Sequence, residues 1–335
     1  MNGRVNFNPA VHATGTNPNL LSPREAMGLP ASLVDRLGRD VLSRNRDLLR
    51  GSAAELVAVL EDQDASLPRR FAAGAVLALV GDPRIDVLRP PMVELPGGMV
   101  KVGLPVQRIE DVVERWRHVG VVREWIEKEC PEHMVQIQPF ALGRYPVTHA
   151  EYREFLEDTQ AHWLPSSWQL GGYPSHLANH PVWTVPPEAA DAYTAWLAQR
   201  TGRAFRLPTE TEWEYAASSG DGREFPWGSI FEAGRANTVE DGPLCTTPVG
   251  IYPAGRTPSG IDDLAGNVEE YTADNYAPYP GGAFVDDDLH LKQGTYRVAR
   301  GGSFSRYGDL ARCARRHGWY HSPIYAMGFR LAESL

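Results

Sequence analysis

Between Ser303 and Arg330 the chain carries five arginines, six aromatic residues and two histidines with a single carboxylate, Asp309, and no Lys, Glu, Gln or Asn. Arginine forks and aromatic faces supply bidentate hydrogen bonds and stacking at little conformational cost, which is the chemistry of a contact surface. Arg306, Tyr307, Arg315, Arg316, His317, Trp319, Tyr320, His321 and Tyr325 are therefore expected to face a protein or small-molecule ligand from C-terminal loops. His317 and His321 stand i, i+4, a spacing that suits two metal ligands on one helix face, but Gly318 and Pro323 argue against the helix. His176 and His180 share that spacing and are followed at once by Pro181. Asp309 or His317 beside arginines is the nearest approach to an acid or base with a carboxylate-holding partner. No motif unites nucleophile, base and orienting group.

The elements that must position this segment are only partly legible. Thr148 with Glu151, and Thr209 with Glu212, form T-x-x-E capping boxes that open two helices, so these acids read as caps rather than catalysts. Glu188 to Arg200 presents Ala189, Ala192, Tyr193, Trp196 and Leu197 on one helical face before Gly202 stops it. Residues 1–22 read as an extended or disordered tail. From 23 to 89 the stretches ASLVDRLGRDVLSRNRDLL, AAELVAVLEDQ and PRRFAAGAVLALVGDPRID have apolar residues at helical spacing. The last resembles one unit of a HEAT-type repeat, and a single unit must bury its face on a neighbour, either the main domain or a partner.

Composition suits a loop-rich fold: 32 Gly and 27 Pro among 335 residues, with 9 Trp and 13 Tyr to supply buried area. A net charge of −9 excludes general polyanion binding, which needs a basic face. Three cysteines, Cys130, Cys245 and Cys313, show no pairing pattern and point to a reduced, cytoplasmic setting. No signal sequence or membrane span is read at the start, and a phage particle or non-classical export stays open as an alternative location.

Eight blocks in order identify the region 90–335. PPMVELPGG, GRYPVTHAEYREFL, HPVWTV, RLPTETEWEYAA, FPWG, TPVG, DLAGNVEEY and the closing pair RGGS and GFRLA resemble the formylglycine-generating enzyme, or sulfatase-modifying factor, family. The resemblance implies an α+β, loop-rich fold like a C-type lectin domain, preceded here by a short helical segment. It also implies what is missing. The copper-binding cysteine pair expected a few residues past RGGS is replaced by Phe304–Leu310, and thiolates are what that soft metal needs, so neither copper nor formylglycine generation is expected. The iron-dependent sulfoxide-forming branch takes its histidines largely from a preceding helical bundle; residues 1–90 hold His12 alone, so iron is not expected.

Calcium is the ion the resemblance favours, held by hard oxygens. Asn237 and Asp241 carry over as side-chain ligands with Thr238 and Pro243 giving carbonyls; Glu270 carries over as a carboxylate with the carbonyls of Ala265, Gly266 and Val268. The alternative is that both loops are turns without metal. Glu269 stands where the family has Trp, either strengthening the second site or lying exposed. The segment 305–327 further resembles the variable region of proteins diversified by retroelements, with Trp319 and Met327 as fixed positions. Two functions of different class follow: a ligand-binding module, and a metal-dependent oxidative tailoring enzyme, with a structural or regulatory appendage as the third reading.

Overall fold

The computed structural model describes residues 11–38 and 40–335. Of the N-terminal helical patterns, two form as expected: α1 (Ala53–Glu61), opened by a Ser52/Glu55 capping box, and α2 (Leu67–Val80), ended at Gly81 with φ 99°. The first pattern is corrected. The described residues of 31–49 give a single helical turn, Val41–Arg44, and the start of a 3₁₀ stretch, Arg46–Arg50; of their apolar side chains Val41 and Leu48 pack on the helix pair. The α1–α2 pair is a cap on the main domain. Asn179 Nδ2 donates to the Gly74 carbonyl at 3.0 Å, and a Cβ at Gly74 would meet Pro248 at 2.5 Å, so the close approach requires glycine. Arg84 reaches the Val249 carbonyl and Arg144 meets Glu61 at 2.8 Å.

The main domain begins with β1 (Met92–Leu95) and β2 (Gly98–Val102), followed by α3 (Ile109–Trp116), β3 (His133–Ile137) and β4 (Phe140–Pro146). Helices α4 (His149–Thr159), α5 (Pro187–Thr201) and α6 (Glu210–Ser218) come next, with β5 (Phe205–Arg206) between the last two. Both expected capping boxes form, Thr148/Glu151 on α4 and Thr209/Glu212 on α6, and Gly202 ends α5 in the left-handed conformation. The chain closes with β6 (Glu269–Asn275), β7 (Arg297–Arg300), β8 (His317–Gly318) and β9 (Met327–Ser334).

One sheet runs β1-β4-β9-β6-β7-β8 with β5 also on β9; β2 and β3 make a separate hairpin-like pair. All pairings are antiparallel except β6–β9, where Glu270 aligns with Gly328. That parallel pair explains two of the sequence blocks. DLAGNVEEY and GFRLA lie side by side at the centre of the sheet, and Gly328 is needed because a Cβ there would meet the Val182 carbonyl at 2.6 Å. An aromatic core of Tyr152, Phe155, Tyr193, Trp196 and Phe329 packs α4 and α5 against β9.

Residues 11–22 lie against the main domain rather than away from it, with a 3₁₀ turn at Pro18–Leu20. Asn17 and Asn19 donate to Asp288, Pro18 is buried, and the His12 amide donates to the Gly28 carbonyl. The first ten residues of the expected tail lie outside the described residues. Among the described residues no helix is long and apolar enough to cross a membrane.

A candidate ligand-binding cleft beside a buried arginine cluster

The C-terminal arginines are turned inward. Arg312 makes a bidentate pair with Glu129 (2.8 and 2.6 Å), and Arg316 another with Glu210 (2.7 and 2.8 Å). Arg300, from RGGS, reaches Glu210 and Glu214, while Arg330, from GFRLA, holds both oxygens of Glu270. Arg315 lies 3.8 Å from Asp309 and donates to its neighbour's carbonyl. Guanidinium forks of this kind are consumed by the carboxylates they meet, and burial makes each pair obligatory rather than available.

The expected display face is accordingly corrected. Arg306, Tyr307, Arg315, Arg316, His317 and Tyr325 are all less than a tenth exposed, and Tyr320 is half-buried under Lys292. Two causes act together: the arginines find acids contributed by distant segments, and the N-terminal residues cover the aromatics. Tyr325 hydroxyl bonds Asn19 Oδ1, and the Tyr307 hydroxyl lies where a side chain on Gly28 would have to go. Of the nine residues, only Trp319 and His321 are exposed.

Glu269 is buried rather than exposed. Its Oε2 sits 2.6 Å from Nδ1 of His317, whose ring stacks on Tyr325 at 5.2 Å, and the Arg306 guanidinium lies 4.8 Å from the centre of that same Tyr325 ring. Burial pushes the His317 pKa down, against the pull of Glu269. The Tyr325 phenol is pushed up to about 12 by burial, so at neutral pH it carries its proton. In the second histidine pair His180 is buried and bonds Thr246, its pKa lowered by desolvation and further by the neighbouring His149 and His176. Cys313 and Cys130 are buried free thiols.

Trp319, His321 and Tyr325 do share a site, an open cleft of about 940 Å³ between the start of α5, the β6–β7 edge and the 319–325 loop. Its aromatic walls are Trp183, Tyr271, Tyr296, Trp319 and Tyr325. Ser166, Asn275, Gln293, Thr295 and Ser322 line it with hydroxyl and amide groups, none of them hydrogen-bonded to another described residue. Arg297 lines it too, but its guanidinium is held by Asp191 at 3.1 and 2.8 Å and by the Thr272 carbonyl. At the rim Thr184 has φ 60°, a conformation that a β-branched residue rarely adopts, and its Oγ1 accepts from the Ser167 amide at 2.8 Å. Such outliers persist where surrounding contacts impose them and cluster at ligand clamps. Sequence patterns marked only the aromatic lip; the polar wall comes from isolated residues of four separate segments that meet only in three dimensions.

The two loops expected to hold calcium lie together, joined by a bridge between Asn237 and Gly266, and they differ in fitness for an ion. In the first, Asn237 Oδ1 and Asp241 Oδ1 are buried without hydrogen-bond partners, and a side chain on Gly242 would lie 2.2 Å from the former. That donor set fits a hard cation. Arg36 adds positive charge nearby, donating to the carbonyls of Val239 and Gly242 at 2.7 Å. In the second loop Arg330 and the Trp213 indole hydrogen-bond the Glu270 oxygens, so an ion beside the carbonyls of Ala265, Gly266 and Val268 would share that carboxylate with them. Among the described residues no three His, Cys, Asp or Glu side chains are grouped as a metal site.

The parallel β6–β9 core, the buried arginine cluster and the loop-borne cleft define the fold class, and residues 82–335 match the sulfatase-modifying factor enzyme 1-like domain. The chain belongs to that family. It is 32% identical over 243 residues to the hercynine oxygenase of Mycobacterium tuberculosis, covering 62% of this chain and 55% of that protein. It thus spans about half the length of that relative. With the inactive C-alpha-formylglycine-generating enzyme 2 of Mus musculus it is 30% identical over 320 residues, covering 77% of this chain and 92% of the relative. The solved variable protein 1 of Treponema denticola shares the fold, with a TM-score of 0.53 at 20% identity over 72% of this chain and 94% of that one.

Proposed function

We propose that this chain is a ligand-binding module on a sulfatase-modifying factor scaffold, taking a small molecule or an exposed segment of a partner into the cleft beneath Trp319. The observation that carries this is the cleft's row of unengaged hydroxyl and amide side chains facing aromatic walls, since polar groups aimed into a concave apolar site are what fix a ligand's orientation. Conversely, the buried C-terminal arginines serve as scaffold. Their burial, with Arg312 and Arg316 paired to Glu129 and Glu210, keeps them away from a ligand at the surface, and a retroelement-type diversified surface would be confined to the 319–323 loop. Calcium at Asn237 and Asp241, with the carbonyls of Thr238 and Pro243, is the proposed structural ion.

The second reading is oxidative tailoring of a small molecule in the same cleft, favoured by the likeness to hercynine oxygenases. A metal would supply the oxygen chemistry, and among the described residues no group of three His, Cys, Asp or Glu side chains offers it a convergent set. One experiment separates the two: wild type and Trp319→Ala are compared for ligand-induced stabilisation, and the purified protein is assayed for oxygen consumption with added iron or copper. Stabilisation lost in the variant without oxygen consumption supports binding.

A further inference from the structure

We infer that the ligand of this cleft is a neutral, polyhydroxylated chain, that is, an oligosaccharide; the inference rests on the cleft being the ligand site. Electrostatics narrow the class first. Arg297 is neutralised by Asp191, and the remaining ionisable lining groups are Glu188, on the solvent side, and His321. An anion such as a phosphate or carboxylate would find no free guanidinium or ammonium here, and charge-assisted pairing is what such ligands require.

The polar groups that remain are neutral and two-faced. Asn275 and Gln293 each offer a carbonyl acceptor and an amide donor, and Ser166, Thr295 and Ser322 each offer a hydroxyl that gives and receives. Sugar hydroxyls have the same dual character, so each can be satisfied without either partner being left short, the condition that makes a polar contact favourable. The indoles of Trp183 and Trp319 complete the match. Their flat, weakly negative faces accept the C–H-bearing faces of pyranose rings, contacts that are individually small and favoured by large aromatic area.

A neutral peptide is the competing occupant. An extended peptide gains most of its affinity by adding a strand to a sheet edge. The sheet edge leading to Trp319 is β8, two residues long, which offers too little ladder for that mode. A purely apolar ligand would bury the five hydroxyl and amide groups unpaired, which is costly.

The test uses the full chain and defined probes: maltoheptaose, cellohexaose, xylohexaose and chitohexaose, with heparin fragments and neutral nonapeptides alongside, titrated by indole fluorescence and calorimetry. At least one neutral oligosaccharide is expected to bind, with affinity unchanged at about 0.5 M salt because no ion pair is involved. Trp319→Ala and Trp183→Ala should each weaken it ~10-fold or more, and Gln293→Ala several-fold, with melting temperatures of Trp319→Ala and Gln293→Ala unaltered because those side chains are at the surface. Failure of every neutral oligosaccharide overturns the inference. If a peptide or heparin then binds in a Trp319-dependent way, the cleft is a ligand site of another class; if no probe responds to Trp319→Ala, the cleft reading fails with it.

Discussion

Glu269 Oε2 lies 2.6 Å from His317 Nδ1, and the carboxylate is completely buried. A carboxylate there, where the family resemblance implies a tryptophan, is tolerated because His317, presented by β8, supplies its partner. A double-mutant cycle with Glu269→Gln and His317→Gln should return a coupling of ~0.5–3 kcal/mol in unfolding free energy, the range for contacting residues in one network. Additive losses would mean that the contact contributes nothing.

The Arg316–Glu210 pair tests whether the C-terminal arginines are scaffold. Truncating one partner strands the other in the core, so Arg316→Ala should cost about 3–5 kcal/mol by denaturant unfolding. A loss below ~0.5 kcal/mol, the range for surface substitutions, would restore the display-face picture.

His149 gives a pH dependence of known sign. It accepts a hydrogen bond from the Trp168 indole at 2.7 Å, and burial depresses its pKa from 6.5 to about 3. Between those values the unfolded chain binds a proton that the native state does not, so stability is complete above pH 6.5 and falls as pH drops toward 3. The slope from this group approaches about 1.4 kcal/mol per pH unit. His149→Gln should lose stability less steeply than wild type from pH 6 to 4; parallel curves would show that the imidazole titrates normally.

Calcium at the Asn237–Asp241 loop should raise the melting temperature, since an ion bound only by the native state adds about 2.7 kcal/mol at a concentration 100 times its Kd. Chelator should remove the increment in wild type and change nothing in Asp241→Ala. An increment that persists in Asp241→Ala would relocate the ion.

Capping boxes and the 3.6-residue apolar face made α4, α5 and α6 legible, because their signals are local: Thr148/Glu151 and Thr209/Glu212 act within one turn. The block order made the fold legible. Burial of Arg315 and Arg316 was not, because the acids they meet, Glu129 and Glu210, come from distant parts of the chain, and no local pattern records such contacts. An excess of arginine and aromatic residues fits a hot spot and a buried ion-pair layer equally well; only the positions of the acids decide. The same reason hid Asn275, Gln293 and Thr295, single polar residues at a strand end, at a helix end and in a loop, with no periodicity to mark them.

The cleft is tested most directly by thermal-shift screening of wild type and Trp319→Ala in parallel against oligosaccharides, neutral peptides and small zwitterions, followed by titration of whatever stabilises the wild type. Binding in the cleft predicts ligands whose affinity falls by about 2 kcal/mol, roughly 30-fold, when the Trp319 indole is removed, while the variant's own melting temperature stays put. Ligands that bind both proteins equally, or turnover of a small molecule with oxygen that survives Trp319→Ala, would contradict it.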